Sequence, residues 1–136
     1  MNKKLFFFIP IAVVALILIL VSLNTEDKYT GDNEVFEKFE KDTKNIRTNI
    51  NSITRFDQDD IYYYHFSFTY ELGEESGNSE LIYVYKNKTK SISFFNMNDV
   101  EYYPNEYNAY LKASKNGSKK VFTISEFNSI IKDINA

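Results

Sequence analysis

The sequence predicts an α+β fold. An N-terminal transmembrane helix leads into a long amphipathic helix packed on a curved antiparallel sheet (a meander), and a short C-terminal helix closes the chain. Three observations carry this. Residues 5–23 form a run of 19 residues without a charge. Phe36, Phe39, Thr43, Ile46, Ile50 and Ile53 then recur at spacings of 3 and 4. From Ile61 to Leu72 the period changes to two, with Tyr62, Tyr64, Phe66, Phe68, Tyr70 and Leu72 on one face. A period near 3.6 marks one stripe of a helix, and a period of two marks a strand with one covered face.

As a helix, residues 5–23 would be about 28 Å long, close to the ~30 Å hydrocarbon core of a bilayer. Lys3 and Lys4 precede the run, while Glu26 and Asp27 follow it. The positive-inside rule then keeps residues 1–4 in the cytoplasm and puts the chain beyond about Asn24 outside. A cleaved secretory signal is the alternative, but its apolar region spans about 7–15 residues and ends in a small-x-small site. Here Ala12 and Ala15 lie inside the run, and Leu20 is too bulky two positions before Ser22. The expected organisation is a signal anchor at 5–23, a polar juxtamembrane spacer at 24–32 and an extracytoplasmic domain at 33–136.

Within that domain, Asp32 or Asn33 is placed to cap a helix over 33–54, with Glu34 and Glu37 in its first turn. The same apolar stripe matches a heptad seam, which makes a coiled-coil homodimer the alternative to packing on the sheet. Asp57, Gln58, Asp59 and Asp60 break the helix. Strands at 61–72, 80–86 and 91–96 follow, with a loop over 73–79. Pro104, Lys112, Lys115 and Gly117 punctuate a helix over 105–116, although Tyr107, Ala109, Leu111 and Ala113 alternate as a strand would. A strand at 119–124 precedes a last helix capped by Ser125, with Phe127, Ile130, Ile131 and Ile134 facing inward. The element order resembles that of cystatin-like α+β rolls, in which a helix lies across one face of a curved sheet. No motif accompanies the resemblance, so no residue roles come with it.

The chain has 16 Lys+Arg against 19 Asp+Glu, a net of −3. Setting aside the two lysines ahead of the anchor leaves the outer part at −5, a poor match for nucleic acid, whose binding depends on neutralising phosphates. Cysteine is absent, so packing alone must hold the domain together. Lys outnumbers Arg 14 to 2 and Asn occurs 15 times, a bias typical of an AT-rich bacterial genome. Only Leu72, Leu81 and Leu111 lie outside the anchor, so the core must be aromatic and β-branched, which favours strands.

Catalytic groups are sparse. His65 is the only histidine, and Ser67 points the same way from the strand at ~7 Å, beyond hydrogen-bond reach. Counted from Asp57, the sixth and twelfth positions of a calcium loop would be Tyr62 and Phe68, where Gly and Glu are required. The expectation is therefore a non-catalytic domain without metal or cofactor. Tyrosine is the anomaly: ten of eleven fall between Tyr62 and Tyr110. Since one face of each strand forms the core, Tyr63, His65, Tyr83, Tyr85, Tyr102 and Tyr103 are the candidate partner or ligand surface. These observations point to a membrane-anchored domain that binds another envelope protein, as an accessory subunit, inhibitor or immunity-type factor. The alternative is a small ligand held on an aromatic-lined sheet.

Overall fold

A computed structural model describes residues 31–136. The expected cytoplasmic residues 1–4, the anchor at 5–23 and the spacer residues 24–30 lie outside the described residues. Among the described residues no helix is long and apolar enough to cross a membrane. The strands β1 (Arg47–Gln58), β2 (Ile61–Leu72), β3 (Glu75–Lys86), β4 (Ser91–Asn96) and β5 (Ser118–Phe122) form one antiparallel sheet in the order β4-β3-β2-β1-β5. Among the described residues three α-helices accompany it: α1 (residues 31–42), α2 (Pro104–Asn116) and α3 (Ile124–Ile134). The α+β class is as the sequence predicts.

The long helix is not. Residues 31–42 are helical, and they include Gly31 and Asp32, which the sequence reading left in the spacer. The helix stops where the Thr43 hydroxyl and amide both donate to the Phe39 carbonyl, at 2.7 and 3.0 Å. From Arg47 the chain is a strand. In the register of β1 on β2, Ile50 faces Phe68 and Ser52 faces Ser67, which leaves Asn51 as the extra residue of a β-bulge. That extra residue turns Ile53 onto the face already used by Ile46 and Ile50. Spacings of 4 and 3 therefore put these isoleucines on one face of a bulged strand, as they would on a helix. The heptad seam, and with it the coiled-coil homodimer, ends at Thr43.

Asp59 and Asp60 form a two-residue turn between Gln58 and Ile61, with φ of 55° and 63°. Positive φ at both positions is the hairpin geometry that matches strand twist, and aspartate tolerates it better than most residues. The expected loop at 73–79 shrinks to Gly73 and Glu74, with Gly73 at φ 62°. The first half of β3, Glu75 to Ser79, is polar on both faces because its residues stay largely exposed, which hid it from a search for apolar alternation.

Helices cover both faces of the sheet, rather than one. On the first face, Phe39 of α1 stacks on Phe66 at 4.3 Å, and Phe36 meets Phe122 edge-on at 5.1 Å and Phe127 of α3 at 5.1 Å. The chain then leaves β4, at one edge, through a 3-10 helix (Met97–Tyr102) and α2, and reaches β5 at the opposite edge. This crossing lays α2 over the second face, where Tyr110 and Ala113 bury Phe56 and Tyr63. Ile82, Tyr83, Val84 and Tyr85 are consequently buried on both sides of the sheet. Thr123 rather than Ser125 caps α3. Its hydroxyl accepts from the Glu126 amide at 3.0 Å, and the Glu126 carboxylate accepts from the Thr123 amide at 2.8 Å.

Phe39→Ala removes a fully buried ring from the first core and should cost about 3–5 kcal/mol, measured by chemical denaturation. Gly117→Ala tests a different constraint: a Cβ there would sit 2.4 Å from the Asp57 carbonyl oxygen and 2.8 Å from that of Ala113. Since Gly117 has φ of −84°, the demand is for space and not for a left-handed backbone. The variant should lose melting temperature, and an unchanged value would show that β5 can move off β1 freely.

Candidate functional site

The six tyrosine and histidine positions do not come together as a surface. Tyr83 and Tyr85 are fully buried on the α1 face, and Tyr63 is buried under α2. The expectation that Tyr63 and His65 look into solvent fails for Tyr63, because the α2 crossing turns the second face into a second core. Tyr102 and Tyr103 lie in no strand. They end the 3-10 helix and join it to α2, and they are 73% and 40% exposed. His65 is half-buried.

Two polar clusters are built instead. In the first, Asp32 of α1 is only 3% exposed. It accepts from Arg55 Nη1 of β1 at 2.9 Å and from the Tyr64 hydroxyl of β2 at 2.6 Å. Arg55 Nη2 donates to Asp57 Oδ2 at 3.0 Å, and Nε lies 2.7 Å from Asp57 Oδ1 as an ion pair without hydrogen-bond alignment. The guanidinium also sits 5.1 Å from the Tyr62 ring centroid. Burial opposes the Arg55 charge, but Asp32 and then Asp57 outweigh it and hold its pKa above the ordinary value. Burial raises Asp57 above the usual carboxylate range despite the pull of Arg55. Gly31 lets α1 approach this cluster: a Cβ there would meet the Tyr62 ring and the Tyr64 hydroxyl at 3.0 Å. One guanidinium thus serves two carboxylates, and the cluster is a fastener between helix and sheet.

The second cluster joins β2, β3 and α2. His65 Nδ1 lies 2.8 Å from the Tyr110 hydroxyl, and Nε2 lies 2.6 Å from Glu80 Oε1. Both ring nitrogens are thus engaged, and neither is left to activate Ser67. Burial, then the nearby Glu80 and Tyr107, push Tyr110 up to about 12. The acids at the β1–β2 turn do not converge either: Asp57 serves Arg55, while Asp59 and Asp60 shape the hairpin. Among the described residues no group of three or more His, Asp or Glu is arranged to hold a metal ion.

A concavity opens beside the C-terminal end of α1, where no helix of the described residues roofs the first face of the sheet. It measures about 360 Å³, within the range of ligand and side-chain sites. Phe68 and Leu81 form part of its lining, Leu72 and Phe94 stand at its margin, and Asn78 and Asn96 add amides. Leu72 and Phe94 are 49% and 47% exposed, the large apolar side chains that this groove leaves to solvent. Sequence reasoning missed the groove because it assigned Leu72 to the core and read Asn78 as loop. The available signal was the polar stretch that follows Leu72. Comparison with protein-family models, with curated proteins and with solved structures found no match to this chain.

The buried phenols generate a prediction in alkali. Burial, and then Asp32 for Tyr64 and Asp42 for Tyr83, raise both groups, as burial does Tyr110. An unfolded tyrosine ionises near pH ~10, so a raised folded value means stability fully present below that pH. It is lost as pH climbs through about 12, where Tyr110 titrates in the folded state. Ultraviolet titration should show these phenols ionising late and together with loss of circular dichroism. Release of all eleven tyrosine protons near pH ~10 with the fold intact would contradict the burial described.

Proposed function

We propose that this chain is a membrane-anchored, extracytoplasmic binding domain that docks a segment of another envelope protein and catalyses nothing. The observation that carries the reading is the groove beside α1, with Leu72 and Phe94 half-exposed at its margin. Single exposed apolar residues are ordinary, but two beside one concavity continue its apolar lining out to solvent, where a peptide segment can follow it. The lining suits an uncharged peptide segment. Its carboxylate, Asp42, is already held by the Tyr83 hydroxyl at 2.8 Å and by Lys38 at 3.3 Å, and the Asn78 amide can pair with a partner's backbone; the Asn96 amide is taken up by Ser79 and by the Asn98 amide. The engaged nitrogens of His65 support the non-catalytic part. The uncharged run at 5–23 and its flanking charges support the anchor and its orientation.

The second reading, a small ligand on an aromatic-lined sheet, is favoured by the volume of the groove alone. A photocrosslinker placed at Leu72 in the membrane-embedded chain separates the two. One defined protein adduct is expected, weakened about tenfold or more by Asn78→Ala with an unchanged melting temperature. An adduct equally strong with the crosslinker at Val121, on the opposite edge of the sheet, would overturn the protein reading. Absence of any adduct, together with a small molecule co-purifying in native mass spectrometry, would move the assignment to the second reading. For orientation, protease added to wall-free cells should remove the chain beyond residue 30, and a mature chain starting near Asn24 and free in the medium would contradict the anchor.

A further inference from the structure

The two edges of the sheet meet solvent differently. β5 carries Lys119 and Lys120, charges of the kind that discourage a further strand. β4 reads Ser-Ile-Ser-Phe-Phe-Asn, without a charge, a proline or a glycine. Among the described residues no strand pairs with its outer side. Phe94 is half-exposed on one face of β4, Tyr103 stacks on Phe95 at 6.1 Å on the other, and Tyr102 is exposed just beyond its end. Six uncharged residues, of which Ile92, Phe94 and Phe95 have high β propensity, make this edge a template for another strand.

Charge says which strand. The end of β3 and the turn leading into β4 hold Lys86, Lys88 and Lys90, and the 3-10 helix leaving it holds Asp99 and Glu101, all at exposed positions. We propose that β4 is a homodimer interface: two copies join antiparallel about a two-fold axis near Ser93 and Phe94, and the five-stranded sheet continues into its partner. Antiparallel pairing sets the lysine end of one β4 beside the acidic end of the other, and the two-fold repeats this at both ends. Parallel pairing would oppose lysine to lysine and acid to acid. An edge with opposite charges at its two ends complements a second copy of itself.

The absence of cysteine makes the test direct. In the full chain in its membrane, Ser93→Cys should be joined into a covalent homodimer by a short thiol crosslinker, and Val121→Cys on β5 should not. Lys88→Glu added to Ser93→Cys should slow crosslinking about tenfold at low salt, and Asp99→Lys in the same chain should restore it to within about twofold. Equal crosslinking at both edges, no crosslinking at Ser93, or an adduct there with a different protein would overturn the proposal. Failure of Asp99→Lys to restore the rate would overturn the antiparallel two-fold arrangement. Leu72→Ala should leave crosslinking unchanged, which separates this interface from the groove.

Discussion

The hydrogen-bonded ion pair between Arg55 and Asp32 is the interaction on which the rest of the arrangement depends. A carboxylate as buried as Asp32 is costly unless it is paired, and removing its cation would leave an uncompensated charge under α1. Arg55 reaches it because the bulge at Asn51 shifts the phase of β1, so that Ile53 and Arg55 point to the same face as Ile50. The same shift sends Phe56 to the opposite face, against Tyr110. One inserted residue thus supplies a partner to the first core, an anchor to the second and the charge that fastens the helix.

The chain path explains why so many tyrosines are buried. Going from β4 at one edge to β5 at the other requires a crossing over a sheet face, and α2 makes it. Tyr63, Ile82 and Val84 would otherwise line a solvated face, as in many antiparallel sheets. Once both faces are covered, a phenol must find an acceptor. Tyr64 donates to Asp32 and Tyr83 to Asp42, and Tyr110 shares a hydrogen bond with His65 Nδ1. Tyrosine here fills core volume, as leucine commonly does, and its hydroxyl ties each core to a polar residue at its margin. Among the described residues, the groove beside α1 and the outer side of β4 stay uncovered.

Much of this was legible in the residues. The alternation from Ile61 to Leu72, the Pro104 and Gly117 boundaries of α2 and the inward stripe of α3 are local signals, and the structure keeps them. The capping box at Thr123 and Glu126 was equally local and was overlooked in favour of Ser125. Residues 43–54 were misread for a physical reason: a bulged strand and a helix place Ile46, Ile50 and Ile53 alike, and periodicity cannot tell them apart. The β-branched content of that stretch, Thr48, Ile50, Ile53 and Thr54, was the better guide. Where Tyr63 would end up was not a local question, since its burial is decided by a helix more than forty residues further on. The groove is likewise a tertiary feature, defined by where α1 stops.

The most direct measurement of the central claim is a double-mutant cycle on Asp32→Asn and Arg55→Met, read by chemical denaturation of the purified chain. If Arg55 fastens α1 to the sheet through Asp32, the two changes should be strongly coupled, by about 2 kcal/mol or more, because Arg55→Met leaves the buried Asp32 carboxylate without a cation, a cost that vanishes once residue 32 is Asn. Additive effects within about 0.5 kcal/mol would contradict it and would mean that the aromatic contacts of Phe36 and Phe39 hold the helix without the ion pair.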